Sequence, residues 1–367
     1  MGNGIITKIE AFNVRVPLGR PLKLGSIEIP DREYVMVRIQ DENGNIGTSY
    51  GLTRNAPIAQ VVQRTISPIW IDKSLDEHEI LYDLTVKANV CLGTNGIFFR
   101  ALSLIDCALY DLLAIRENVP LYEFLGGKSK PVPTMLVGGY PVPNESEQTL
   151  AQEMKLFSTY KPLGVKIAST TDYKKDGERL LICRKYLPDT IPLMIDCVWA
   201  QTNAQQFVKE VSKWEKLNMG WVEDPFLPDD YESIRYLSEN TKVNVAVGDE
   251  QSGYLNMIRL MDQGKVNILR LDATVCGGIR SFIKIANEAH KRNIPIACHV
   301  FHQIHLHLAC TLPAVKWIEY MLPESDIESY QLLWIEDLPL KDGRFTPWDR
   351  PGIGTRWNEA AIEHYKI

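Results

Sequence analysis

Seven short apolar runs between residues 163 and 318 each end at or beside an ionisable residue: Lys166, Asp196, Glu223, Asp249 (or Glu250), Asp272, His299 and Glu319. Taking Asp249, the gaps between them are 30, 27, 26, 23, 27 and 20 residues. Each gap has roughly the length of one strand plus one helix. A single acid in such a place is ordinarily a solvated loop carboxylate or a helix cap. Seven ionisable residues in series are hard to explain that way, and the spacing predicts that they converge on one mouth.

The residue types define the chemistry. Asp196, Glu223 and Asp249 would come from three neighbouring strands, and three carboxylates pressed together repel unless a cation binds them. Oxygen donors without His or Cys favour a hard ion, Mg²⁺ first and Mn²⁺ next. Asp272 and His299 end adjacent strands, and an Asp that holds an imidazole fixes its tautomer and makes a general base. Lys166 would face the metal from the other side, to neutralise a bound carboxylate or to act as a base. His302, His305 and His307 fall on the following helix and read as core histidines.

The elements that must position these groups follow from the pattern. Eight apolar runs, Val132–Val137, Leu163–Ile167, Leu193–Ile195, Trp221–Val222, Val243–Val247, Ile268–Leu271, Ile294–Cys298 and Trp317–Ile318, alternate with helix-length segments. Such βα units imply a parallel sheet, and eight in a row imply an α/β fold of the (β/α)₈ TIM-barrel type, with active residues at the C-terminal ends of its strands. Ahead of it, Ile5–Val16 and Tyr34–Gln40 are strand-like, and the chain turns helical from about Pro57. Residues 1–128 are thus a small α+β domain, 129–340 the barrel, and 341–367 a turn-rich segment that folds back on the N-terminal unit.

Composition excludes several classes. Apolar residues make up 45% and charged residues 23% of the 367, which is globular material with ample core. A net charge of −6 argues against a nucleic-acid partner. The apolar stretch Phe98–Leu113 is broken by Arg100, Asp106 and Asp111, so no membrane span is expected. Seven cysteines without a CxxC spacing read as buried thiols in a reducing compartment, and the N-terminus lacks signal-peptide character, which points to the cytoplasm. Gly126-Gly-Lys-Ser129 resembles the end of a P-loop, but Tyr122 stands where the first Gly belongs. Asn144-Glu-Ser146 is a glycosylation sequon, without meaning in an unsecreted protein.

At these residues the sequence resembles the mandelate racemase group of the enolase superfamily, over essentially the whole chain. The resemblance rests on Ala101-Leu-Ser-Leu-Ile-Asp-Cys-Ala-Leu-Tyr-Asp111, Leu125-Gly-Gly127, Val165-Lys166, Ile195-Asp196, Trp221-Val-Glu-Asp-Pro225, Val247-Gly-Asp-Glu250, Leu271-Asp272 with Gly277-Gly278, Cys298-His299, Trp317-Ile-Glu319 and Asp349-Arg-Pro-Gly-Ile-Gly354. It implies a modified barrel with an N-terminal α+β capping domain, Mg²⁺ on Asp196, Glu223 and Asp249, and α-proton abstraction from a carboxylate substrate to a metal-stabilised enediolate. It favours Asp249 over Glu250 as the third ligand and assigns Glu319 a hydrogen bond to the substrate carboxylate. Cap loops around residues 18–30 and 48–56 would close the mouth, and the protein would be a homo-oligomer.

One departure decides the expected reaction. Racemases of this group carry Lys-x-Lys at the end of the second barrel strand, whereas this chain reads Lys166-Ile167-Ala168. With Ala168, only the His299–Asp272 dyad is in its usual place. A one-dyad site fits β-elimination, which makes the chain similar to sugar-acid dehydratases acting on aldonates or aldarates. Val198 stands where the group often has a substrate-contacting Asn. The alternative is a racemase, epimerase or cycloisomerase working through the same intermediate, with Lys166 as the second base.

Overall fold

A computed structural model describes residues 4–24, 27–142 and 146–367. The sequon Asn144 and the tip of the 18–30 segment at residues 25 and 26 lie outside the described residues.

The N-terminal unit is a three-stranded antiparallel sheet of β1 (Ile6–Leu24), β2 (Ile27–Asp41) and β3 (Ile46–Leu52). The first two strands extend far beyond the Val- and Ile-rich runs. Pro17, Gly19 and Pro21 interrupt the strand signal, yet the ladder resumes past a register shift between Pro17 and Leu22, with Leu22 opposite Ile29. The region expected as a cap loop is therefore mostly a β-ribbon.

The helix Gly96–Arg116 packs on this sheet. Its buried positions run from Phe98 to Ala114 with few gaps, so it is apolar nearly all round and covered on both sides. On one side the Thr48 N–H donates to Asp111 Oδ2 at 2.8 Å, and Gly47 lets the strand approach the helix backbone. On the other, the Arg280 N–H of the barrel donates to Asp106 Oδ2 at 2.9 Å.

The barrel contains eight parallel strands: β4 (Val132–Gly138), β5 (Val165–Ala168), β6 (Leu193–Asp196), β7 (Met219–Glu223), β8 (Asn244–Val247), β9 (Ile268–Leu271), β10 (Ile296–Cys298) and β11 (Val315–Tyr320). Each pairs with the next, and β11 closes on β4 with Ile318 opposite Thr134. All eight apolar runs of the sequence fall on these strands. They read as runs rather than alternations because both faces are covered. A short β12 (Arg344–Phe345) pairs antiparallel with Val132 and Pro133, so the last segment touches the barrel before it reaches the cap. There the Ile353 N–H donates to Asp111 Oδ1 at 2.6 Å, and the Ile367 N–H to the Asn13 carbonyl at 3.0 Å.

All seven cysteines are free thiols. Six are buried as expected. Cys91 is the exception, exposed on the short turn Val90–Leu92. Among the described residues no helix is long and apolar enough to cross a membrane.

Candidate active site

The interior of the barrel holds a charged layer. Alternate strands fill alternate layers in such barrels. Here β5, β7, β9 and β11 contribute Lys166, Glu223, Arg270 and Glu319, all essentially excluded from solvent. Lys166 Nζ bonds Glu223 Oε1 and lies 2.6 Å from Glu319 Oε1. Arg270 stands between the same two acids, with Nε 3.1 Å from Glu223 and Nη2 3.0 Å from Glu319. Trp221 Nε1–H donates to Glu223 at 2.9 Å, and the Val300 N–H to Glu319 at 2.8 Å. Two cations and two anions cancel, which makes a buried charged layer tolerable.

This arrangement sets the protonation states. Burial alone would lower the Lys166 pKa, but Glu223 and Glu319 overcome that and raise it, so Lys166 stays charged. Burial would raise that of Glu319, yet Arg270 and Lys166 pull it well below the usual carboxylate range. Glu319, expected to hydrogen-bond the substrate carboxylate, here accepts from Lys166 and from the Val300 N–H.

Above this layer the strand ends open into a cavity of about 620 Å³ under the cap. Asp196 is level with Glu223 and Ala168 in the strand register, and its Oδ2 lies 3.8 Å from Lys166 Nζ. Burial first, and then Glu223 and Asp249, push the Asp196 carboxyl up to about 7, against the pull of Lys166. Asp249 is buried, and its Oδ1 has no hydrogen-bond partner. His299 Nδ1 is 2.9 Å from Asp272 Oδ2, and its Nε2 is 3.8 Å from Asp249 Oδ2. Asp272 Oδ1 accepts from the Thr274 N–H at 2.7 Å and its hydroxyl at 2.8 Å. Burial would raise the Asp272 pKa, but the His299 hydrogen bond, His305 and Thr274 outweigh it and lower it. An ionised Asp272 fixes the proton on Nδ1 and leaves the Nε2 lone pair free.

The three neighbouring histidines are core residues, as their helical position implied. His305 accepts from the Ala273 N–H at 3.0 Å and faces the Val300 carbonyl at 3.1 Å. His307 accepts from the Tyr122 N–H at 3.1 Å and faces the Ile353 carbonyl at 3.1 Å. His302 pairs with Asp337 at 3.2 Å.

The backbone is strained just past the site residues. Val198 and Trp199 after Asp196, Asp224 after Glu223, and Val300 and Phe301 after His299 all have positive φ, between 26° and 54°. Such conformations cost about 1–3 kcal/mol each and cluster at functional sites.

The donor chemistry suits a hard cation: all-oxygen ligands, mutual repulsion and one orphaned buried oxygen on Asp249. The three acids are not gathered for it, because Glu223 is drawn onto Lys166, Arg270 and Trp221. Among the described residues no three His, Cys, Asp or Glu side chains stand close enough to grip an ion as they are. Asp224 faces the cavity beside Asp249, and burial followed by the Asp249 charge raises its pKa.

Several site residues escape sequence reasoning. Arg270 is the plainest, since a lone Arg inside the apolar run Ile268–Leu271 is a signal in itself. From the cap, Arg32 sits 3.4 Å from Glu328, whose other oxygen bonds the Tyr34 hydroxyl. Arg54 and Arg100 both bind Glu250, so each of its carboxylate oxygens is engaged by an arginine.

Comparison with known proteins agrees with this architecture. Residues 6–126 match the mandelate racemase / muconate lactonizing enzyme N-terminal domain, and residues 148–361 the enolase C-terminal domain-like family. The chain belongs to this family of the enolase superfamily. Its relatives include L-talarate/galactarate dehydratase of Salmonella typhimurium, 26% identical over 350 residues, covering 95% of this chain and 85% of that protein. Another is 3,6-anhydro-alpha-L-galactonate cycloisomerase of Streptomyces coelicolor, 25% identical over 359 residues, with 95% and 96% covered. Among solved structures, L-talarate dehydratase from Polaromonas sp. JS666, complexed with Mg and L-glucarate, superposes with a TM-score of 0.89 at 23% identity, covering 99% of this chain and 97% of that one. Its superfamily fold is thus a closed eight-stranded barrel behind an antiparallel cap sheet.

Proposed function

We propose that this chain is a Mg²⁺-dependent hydro-lyase that dehydrates a sugar acid, an aldonate or aldarate, to a 2-keto-3-deoxy acid. The observation that carries the reading is the asymmetry of the cavity. One histidine has a free lone pair facing it, whereas Lys166 is held charged by Glu223 and Glu319 and Ala168 has nothing to offer. One base on one face suits elimination.

Asp196, Glu223 and Asp249 would hold the Mg²⁺, which supplies positive charge where the substrate carboxylate becomes electron-rich. Lys166 has three N–H donors, two of them engaged by Glu223 and Glu319, and the remaining one can meet that carboxylate. Glu319 and Arg270 act by holding Lys166 and Glu223. His299 Nε2 takes the α-proton, and Asp272 stabilises the imidazolium that forms. The C–H electron pair becomes a C=C bond as the β-C–O bond breaks. The proton returns from His299 to the departing hydroxide, which leaves as water, and the enol product tautomerises to the keto acid.

The named relatives and their Mg-bound, sugar-acid-bound structures support this reading. The similarity to a cycloisomerase supports a second: the same proton abstraction followed by ring rearrangement without loss of water. A panel of sugar acids with Mg²⁺ and a semicarbazide readout separates them. The proposal predicts a 2-keto-3-deoxy acid from at least one member. An isomeric product of unchanged mass supports the cycloisomerase, and no keto acid from any sugar acid refutes the dehydratase. The free thiols support a cytoplasmic setting. The homo-oligomer typical of the family is tested by light scattering.

A further inference from the structure

The cavity has two groups of arginines, and they differ in charge balance. Arg32 on β2 is matched by one carboxylate, Glu328, and both are buried. That pair is neutral, with donors and an acceptor suited to hydroxyl groups. Arg54 and Arg100 share one carboxylate between them. Glu250 Oε1 takes Arg54, with Nε at 3.1 Å, and Oε2 takes Arg100 Nη2. All three line the cavity.

The second group has donors to spare. Among the described residues Arg100 Nε and Nη1 have no hydrogen-bond partner, and each guanidinium carries five N–H groups. The side chain is mostly shielded from solvent and lines the cavity. Burial first, and then the neighbouring charge of Arg54, pull the Arg100 pKa down to about 10. Asp249 and Asp272 also act on Arg100, but the first is assigned above to the metal and the second is committed to His299. Arg54 and Asn55 are both held at positive φ, which fixes the loop that carries Arg54.

We infer that Arg54 and Arg100, bridged by Glu250, form a second anion site in the cavity, which receives the distal carboxylate of a dicarboxylic substrate. This deepens the reading under Proposed function and rests on it for the site of the first carboxylate, at Lys166. The substrate class is then the aldarates rather than the aldonates, with the intervening hydroxyls meeting the neutral Arg32–Glu328 pair.

The test compares an aldarate with the aldonate of identical configuration, by calorimetric binding to the Mg²⁺-loaded protein. Wild type should bind the aldarate at least about tenfold more tightly, as expected for charge-assisted hydrogen bonds to a buried cation. Arg100→Met should bring that preference to within about threefold. Arg54→Met, at a partly exposed position, should move it the same way and serves if Arg100→Met does not fold. Glu250→Gln removes the shared anion and should keep or widen the preference. Equal or tighter binding of the aldonate by wild type overturns the inference, as does an unchanged preference in both arginine variants or no binding of either acid. Keto-acid release is scored separately, so an aldarate preference without product refutes the dehydratase and leaves this site standing.

Discussion

Asp272→Asn changes one oxygen to nitrogen and keeps the shape, yet its orientation is dictated by the fold. Asp272 Oδ1 accepts the Thr274 backbone N–H at 2.7 Å, a donor that cannot turn round. The amide oxygen of Asn must stay there, so its NH₂ points at His299 Nδ1, now 2.9 Å from Oδ2. Nδ1 then has to accept, the proton moves to Nε2, and the lone pair needed for the α-proton is lost. The imidazolium also loses its counter-charge. Two unit charges about 4 Å apart at an effective dielectric of about 20 are worth about 4 kcal/mol. At 1.36 kcal/mol per decade that is about 10³-fold in kcat. The assay is keto-acid formation at saturating substrate and Mg²⁺, with thermal melting to show that the fold is intact. A variant within tenfold of wild type would refute the assignment of His299–Asp272 as the base.

Three further outcomes follow from named contacts. Asp249→Asn should weaken Mg²⁺ binding at least about 100-fold by calorimetry, because even partners outside the ligand set are worth 10–100-fold; unchanged affinity would remove Asp249 from the ligands. Asp106 is pushed up to about 7, by burial first, against the hydrogen bond from the Arg280 N–H. Its folded pKa lies above the unfolded value of about 3.9, so its contribution is full below that pH and is lost as pH rises towards 7. Asp106→Asn should therefore gain on wild type in melting temperature between about pH 4 and 7, and a constant difference would contradict the argument. Gly47→Ala should destabilise the cap by about 3 kcal/mol, at the upper end of overpacking costs. Its new Cβ would meet Leu112 N at 2.5 Å and the Ala108 carbonyl closer still, both on helix backbone that cannot yield; a denaturation midpoint equal to wild type would show otherwise.

How much of this was legible in the sequence depended on whether the signal was local. The eight barrel strands were readable because burial on both faces writes a short, mostly apolar run of two to six residues into each. The acids and the histidine at their ends were readable because the βα repeat spaces them evenly. Ionisation and partnership were not. Glu319 and Lys166 are 153 positions apart, and nothing near either reveals that Arg270 would join them and fix their charges. Arg100 and Glu250 meet across 150 positions, because a cap helix happens to overlie the end of β8. The long β1–β2 ribbon was hidden by prolines that a register shift accommodates.

The central claim is that a single base, His299, works on one face of the substrate and that water then leaves. The direct measurement is proton NMR of the turned-over sugar acid in D₂O with Mg²⁺. The account predicts a 2-keto-3-deoxy acid bearing one deuterium at C3, recovered substrate without inverted deuterated material, and no keto-acid signal in His299→Asn. Deuterium in recovered substrate of inverted configuration, or turnover that survives His299→Asn, would contradict it.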